Sequence, residues 1–167
     1  GVMEAALRTV YFVLEGKEHG PIEFTEVRGF EGIREAEVEM GGMKVKVAVA
    51  SAMKNAKVLL DQIKAGTSPY TFIEIMGCPG GCINGGGQPY VRGAFLPDED
   101  INIYDTYQQK RANALYSEDE RAVLRQSHKN EDIQKLYADF LGEPNSHKAH
   151  ELLHTTYAAR ERFDKLD

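Results

Sequence analysis

Two thiols, Cys78 and Cys82, stand in the run Cys78-Pro79-Gly80-Gly81-Cys82, which continues as Ile83-Asn84-Gly85-Gly86-Gly87-Gln88-Pro89. Thiolates at this spacing can converge on one soft metal centre. Pro79 stiffens the turn between them, and Gly80 and Gly81 let backbone approach sulfur closely. Backbone N–H groups around the thiolates would disperse the negative charge of a bound cluster and tune its potential. Gly85, Gly86 and Gly87 form a second wall without side chains, suited to a bulky inorganic ligand. Alternatives remain open at this level. A bare Cys-x3-Cys also describes two idle thiols or an occasional disulfide. A redox dithiol uses Cys-x-x-Cys, and a phosphate loop needs a Gly-Lys-Ser/Thr ending or a GxGxxG run, neither of which is present. Two thiolates fill half of a four-ligand site. His147, His150 and His154 would complete a Cys2His2 zinc set, although histidines bordering an amphipathic helix more often serve as surface residues.

The elements that must position this loop are legible from periodicity. Residues 2–15 read as a helix stopped by Gly16, and Ile22, Phe24, Val27 and Phe30 as a strand or extended segment. Ala36, Val38 and Met40 alternate with polar residues, Gly41-Gly42 follows, and Met43, Val45 and Val47 alternate again. That pattern predicts a hairpin pairing Met40 with Met43, Val38 with Val45 and Ala36 with Val47, with Glu39 facing Lys44 and Glu37 facing Lys46. Alternation fails over residues 47–50, so that end is covered on both faces. A helix over 53–65 carries Ala56, Leu59, Leu60 and Ile63 on one side and ends at Gly66. Residues 71–76 form a short, mostly buried strand. Strand, helix, strand predicts a βαβ unit with parallel strands, and the cysteine run begins at the carboxyl end of its second strand, where open α/β sheets place ligands.

Residues 1–97 therefore form an α/β part carrying the cysteine loop. Residues 98–167 form a C-terminal helical segment of two or three helices packing on it, within one incomplete domain. Asn145 or Ser146 caps a last helix whose apolar face is Ala149, Leu152, Leu153, Thr156 and Tyr157. Glu74 reads either as an acceptor for hydrogen bonds from the glycine-rich loop or, preferred, as a partly buried structural carboxylate, the Tyr104, Tyr107 and Arg111 cluster as ordinary helix packing, and Lys148 as solvated. Hydrophobic residues make up 42% of the 167, and the net charge is −6. No apolar run is long enough for a membrane-spanning helix, and the acidic balance argues against nucleic-acid binding. Two cysteines make no secreted disulfide framework. The first residues, Gly1-Val2, open a helix with no capping residue ahead of it, as in a piece of a longer chain; a cytoplasmic location is the expectation.

The sixteen residues from Glu74 to Pro89 resemble the last active-site motif of the iron-only (FeFe) hydrogenases. Gly1 to Thr9 (GVMEAALRT), Leu136 to Leu141 (LYADFL) and Gly142 to Thr155 (GEPNSHKAHELLHT) resemble the same family, in the C-terminal part of its catalytic domain. The resemblance implies one lobe of that fold and an H-cluster: a four-iron, four-sulfur cubane on four cysteines, one of which also bridges to a two-iron subcluster. By position in the motif, Cys78 corresponds to a cubane ligand, Cys82 to the bridging cysteine, and Met76 to a methionine packed against the two-iron centre. Gly77, Pro79, Gly80 and Gly81 would line the cofactor; Gly77 stands where the family usually has alanine. The family's remaining cubane cysteines, its proton-relay residues and the lysine near the cyanide correspond to segments before Gly1. The N-terminal remainder of the hydrogenase is thus an implied partner, with ferredoxin or a nicotinamide-linked carrier for electrons. The implied reaction is the reversible reduction of protons to hydrogen. The alternative is a hydrogenase-like iron–sulfur protein that senses or assembles clusters without hydrogen turnover.

Overall fold

Alternating side chains build the sheet. In the computed structural model, which describes residues 1–20, 23–29, 31–89 and 103–160, β1 (Ile33–Met40) and β2 (Met43–Ser51) pair antiparallel. The register is the expected one: Met40 opposite Met43, Val38 opposite Val45, Ala36 opposite Val47. Gly41 and Gly42 have φ of 60° and 70°, the left-handed conformation that a two-residue hairpin loop requires at both positions. The charged pairs differ from expectation in one respect. Lys44 reaches Glu37 and Lys46 reaches Glu35, each at 3.2 Å, one step along the diagonal. Strand twist brings these diagonal neighbours within reach of long side chains.

β2 then pairs in parallel with β3 (Phe72–Met76), giving the strand order β1-β2-β3 and setting Ser51 beside Met76. Between them runs α2 (Met53–Lys64). Residues 47–51 are buried throughout, because β2 is covered on both faces. On one side, Val47 and Val49 join Met3, Leu7, Phe24, Val27, Ala36, Val38 and Met40 in the main core under α1 (Val2–Glu15). On the other, Ala48 and Ala50 pack with Leu59 of α2. The apolar face of α2 is narrower than its spacing suggested. Ala56 and Leu59 are buried, whereas Leu60 and Ile63 keep 40% and 51% of their surface, since the seat offered by Ala48 and Ala50 takes only one row of side chains. Likewise β3 is not mostly buried. It is the end strand of the described sheet, and Phe72 and Ile75 are exposed.

The segment expected as extended around Phe24 and Val27 instead holds a 3₁₀ turn at Thr25–Val27. Its two apolar residues are buried, and their i, i+3 spacing suits a tight helical turn as well as an extended chain. Ile22 and Phe30 lie outside the described residues. α1 is tied at both ends: the Met3 N–H donates to Glu74 Oε2 at 3.1 Å, and the Gly41 N–H to Glu15 Oε1 at 2.6 Å. Gly16, at φ 65°, ends the helix as expected.

A long helix, α3 (Ile103–Arg121), belongs to the same compact unit, which spans residues 1–126; residues 127–167 form a second. The division expected between residues 97 and 98 falls outside the described residues. α3 is joined to α1 by buried charge. Arg8 donates to both Asp119 carboxylate oxygens at 3.0 Å and to Glu4 at 2.9 Å, while Arg28 also binds Glu4. Arg125 bridges Asp119 and Glu23, at 2.7 Å each. The Arg8 and Arg125 guanidiniums hold the Asp119 carboxyl far below its usual range, and Arg125 pulls Glu23 down as well.

In the second unit, Asn130 caps α4 (Glu131–Leu136), which runs into a single π turn at Tyr137–Leu141. Gly142 breaks the helix at φ 79°, and Ser146 caps α5 (His147–Leu153), accepting from the Ala149 N–H at 3.2 Å. The same hydroxyl donates to the Leu141 carbonyl at 2.6 Å, linking the two helices. α5 is shorter than its sequence pattern suggested: only Ala149 of the expected face is buried, and His154 already lies in extended backbone. Lys148 is exposed, as expected, and its ammonium lies over the Phe140 ring at 3.5 Å.

Two outcomes follow. Ala52, at φ 68° and ψ 149°, occupies a conformation that favours glycine, so Ala52→Gly should stabilise the fold by about 1 kcal/mol in urea unfolding. Because the Asp119 and Glu23 carboxyls titrate below their ordinary values, their contribution is full above about pH 4.5 and is lost as pH falls toward the folded-state values. Asp119→Asn should therefore lower stability at pH 7 and flatten the loss between about pH 4.5 and 2. Thermal unfolding across that range measures both effects.

Candidate metal centre

The parallel pairing of β2 and β3 delivers the chain to the sheet's carboxyl edge at Met76, whose carbonyl accepts from the Ala52 N–H at 2.8 Å. The chain then folds back at once. The Gly81 N–H donates to the Cys78 carbonyl at 3.0 Å, with Pro79 and Gly80 at the corners. Gly80, at φ 75° and ψ 0°, has the geometry of the third position of a type II turn, which glycine favours and a preceding proline supports. Gly81 is needed twice over. Its φ is +77°, and a Cβ there would stand 2.8 Å from Met76 Sδ. The thioether of Met76 thus packs directly on the turn between the cysteines.

From Gly81 to Asn84 the chain makes a 3₁₀ turn that sinks Ile83 into the protein, leaving it 5% exposed. This apolar plug holds the loop down, and polar ties finish the fold. Asn84 Nδ2 donates to the Pro79 carbonyl at 2.7 Å, and the Gln88 N–H donates to the Gly85 carbonyl at 3.3 Å. Both cysteines are free; Cys78 is half-buried and Cys82 exposed. A Cβ on Gly85 would lie 3.8 Å from Cys78 Sγ and 3.8 Å from the Cys82 carbonyl oxygen. Gly85 therefore runs beside the first thiol, leaving between them the space that a methyl group would fill. Free sulfur beside side-chain-free backbone is a donor set that fits an iron–sulfur cluster. Among the described residues no three or more His, Cys, Asp or Glu side chains converge as a metal site.

Behind the loop lies a cavity of about 290 Å³ bordered by Met3, Arg34, Glu74, Met76, Gly81 and Cys82. Glu74 uses its carboxylate on the α1 N-terminus, in keeping with its reading as structural, where a negative charge meets unpaired N–H groups. Arg34 is 7% exposed and donates to the Gly29 carbonyl; burial lowers its pKa. Ser51, opposite Met76, is buried with its hydroxyl unpaired among the described residues. Arg111 was not legible as part of this site. It is not merely a packing residue: its guanidinium donates to the Ile83 carbonyl at 3.1 Å and also to the Pro89 carbonyl. Tyr107 instead carries a Lys110 ammonium over its ring. A partner more than twenty positions along the chain leaves no local spacing signal.

Residues 1–86 match the family described as iron only hydrogenase large subunit, C-terminal domain, and residues 105–160 match the iron hydrogenase small subunit. The chain belongs to the iron-only hydrogenase family. It is 43% identical, over 98% of its length, to the NADP-reducing hydrogenase subunit HndD of Solidesulfovibrio fructosivorans, of which it covers 26%. A solved variant of the [FeFe]-hydrogenase HydA1 from Chlamydomonas reinhardtii superposes with a TM-score of 0.71 at 39% identity, covering 95% of this chain and 44% of that one. The cytosolic Fe-S cluster assembly factor narfl of Xenopus tropicalis is 34% identical over 74% of the chain and is covered to 24%. The chain thus spans about a quarter of the length of these curated relatives.

Removing the plug should loosen the loop. Ile83→Ala is expected to cost about 2–4 kcal/mol in urea unfolding and to speed alkylation of half-buried Cys78.

Proposed function

We propose that this chain supplies one half of the H-cluster site of an iron-only hydrogenase, which interconverts two protons and two electrons with hydrogen. The observation that carries the reading is the glycine-walled Cys78–Cys82 loop at the carboxyl edge of β3, with Gly85 beside Cys78 Sγ, where a Cβ would stand 3.8 Å from the sulfur. Cys78 would hold the cubane, Cys82 would hold it and bridge to the two-iron subcluster, and the Met76 thioether would pack beside the latter. Gly77, Pro79, Gly80 and Gly81 would shape the wall. When bound, the cubane supplies electron transfer and the two-iron subcluster supplies the chemistry of joining or parting two hydrogens.

The chain's own residues orient and shield. Ile83, buried beneath the loop, and the Met76 thioether packed on Gly81 give the protein side of the site an apolar floor. The Pro79-Gly80 turn holds the two thiols on one short loop. The remaining ligands and the proton route would come from the rest of the hydrogenase, beyond the residues in this chain. Ferredoxin or a nicotinamide-linked carrier would exchange the electrons, in line with the name of the NADP-reducing relative. No helix among the described residues is long and apolar enough to cross a membrane.

The similarity to a cluster assembly factor favours a second reading, a cluster-holding protein without hydrogen turnover. One set of measurements separates them. The full-length protein, with its cofactor inserted, should evolve hydrogen from a reduced viologen dye. Cys78→Ala and Cys82→Ala should each lower iron content and abolish that activity. Iron retention without hydrogen would select the second reading, and iron content unmoved in the double variant would end both.

A further inference from the structure

We propose that Arg111 is a positioning residue for the cysteine loop: from α3, its single guanidinium grips the loop on either side of the glycine triplet. This deepens the hydrogenase reading and rests on it. One terminal nitrogen, Nη1, donates to the Ile83 carbonyl at 3.1 Å, and the other, Nη2, donates to the Pro89 carbonyl. Those two carbonyls bracket Asn84-Gly85-Gly86-Gly87-Gln88, the stretch with least packing of its own. A Cβ at Gly86 or Gly87 would meet nothing within 4 Å, and Gly87 has φ +94°. Three consecutive glycines carry a high conformational entropy, which the few ties inside the stretch offset poorly. Those ties are the Gln88–Gly85 backbone bond, the Asn84 Nδ2 bond to the Pro79 carbonyl at 2.7 Å and a 3.5 Å contact from Gln88 Nε2 to the Cys82 carbonyl.

Arg111 has the properties such a grip needs. Its neighbours on α3, Gln108 and Ala112, are 8% and 5% exposed, so the arm springs from a fixed base. The same helix is anchored to α1 through Asp119 and Arg8. A planar fork can serve two carbonyls at once, whereas a lysine ammonium offers a single point. Ile83 lies in the last turn of a 3₁₀ segment, where carbonyls lack partners within the helix, so the contact also satisfies a group that the local fold leaves open. Because a trans peptide points its N–H opposite its C=O, holding the Ile83 carbonyl on α3 fixes the Asn84 N–H on the side away from α3. Among the described residues the guanidinium meets no carboxylate, so its positive charge stays on the loop that carries both thiols.

The test compares wild type, Arg111→Ala and Arg111→Lys in the full-length protein, first without cofactor and then with the cubane reconstituted. In the first state, amide exchange at Gln88, whose N–H is held on the Gly85 carbonyl, should be about tenfold faster in Arg111→Ala, with partial recovery in Arg111→Lys. In the second, Arg111→Ala should change the electron paramagnetic resonance line shape of the reduced cubane and release iron to a chelator several-fold faster, again with partial recovery by lysine. Unchanged exchange overturns the grip. Faster exchange with wild-type line shape and iron release overturns the positioning role and leaves Arg111 a structural contact. A wild-type protein that takes up no iron counts against the hydrogenase reading alone, and the exchange comparison still decides the grip.

Discussion

The burial of β2 on both faces is the constraint from which the rest of the first unit follows. Val47 and Val49 are closed off by the core under α1, and Ala48 and Ala50 by α2, so none of these four side chains can turn to water. A one-residue slip would exchange the two sets and place valines where only alanines fit beneath α2. The register of β1 and β3 is locked with it. Since β3 ends beside Ser51, the point at which the chain leaves the sheet is set to the residue, and the cysteine loop starts there.

What the loop then needs is close approach, and small residues provide it at defined places. Gly81 lets the turn settle on Met76 Sδ, and Gly85 leaves open the space beside Cys78 Sγ that a Cβ would occupy at 3.8 Å. Such closeness leaves little side chain to hold the loop in place. Restraint comes from one side chain of its own, Ile83, buried beneath, and from Arg111 reaching from α3. The Glu4, Arg8, Asp119 and Arg125 network has a related part, since it docks α3 on α1 and so fixes the helix from which Arg111 extends. Buried ions of this kind are costly to desolvate, and their worth lies as much in orientation as in net stability.

The hairpin, with its register and both of its faces, could be read directly from residues 36–47, because alternation over a two-residue Gly-Gly loop admits one pairing. The βαβ order and the siting of Cys78 and Cys82 at a strand's carboxyl end were equally legible, as were the resemblance of residues 74–89 and the caps at Gly16 and Ser146. These features are local: each is decided by neighbours within a few positions, through φ preference, period or capping. Readings of breadth fared less well. Leu60, Ile63, Phe72 and Ile75 share the periodicity of buried residues yet are exposed, since periodicity reports which way a side chain points and says nothing of how far the neighbouring layer extends.

Composition and pattern alone thus settled an acidic α/β chain with a thiol pair in a glycine-rich turn at a sheet edge, together with the family it resembles. The tertiary structure decided the rest. It turned the segment at Phe24 and Val27 into a 3₁₀ turn, tied Glu74 to the α1 N-terminus and carried Arg8 to Asp119 and Arg111 to both sides of the glycine triplet. Each of these joins groups distant along the chain or chooses between conformations with the same apolar spacing. Only the simultaneous packing of helix, sheet and loop selects among such options, because the free energy that decides them belongs to the contact surface rather than to any one segment.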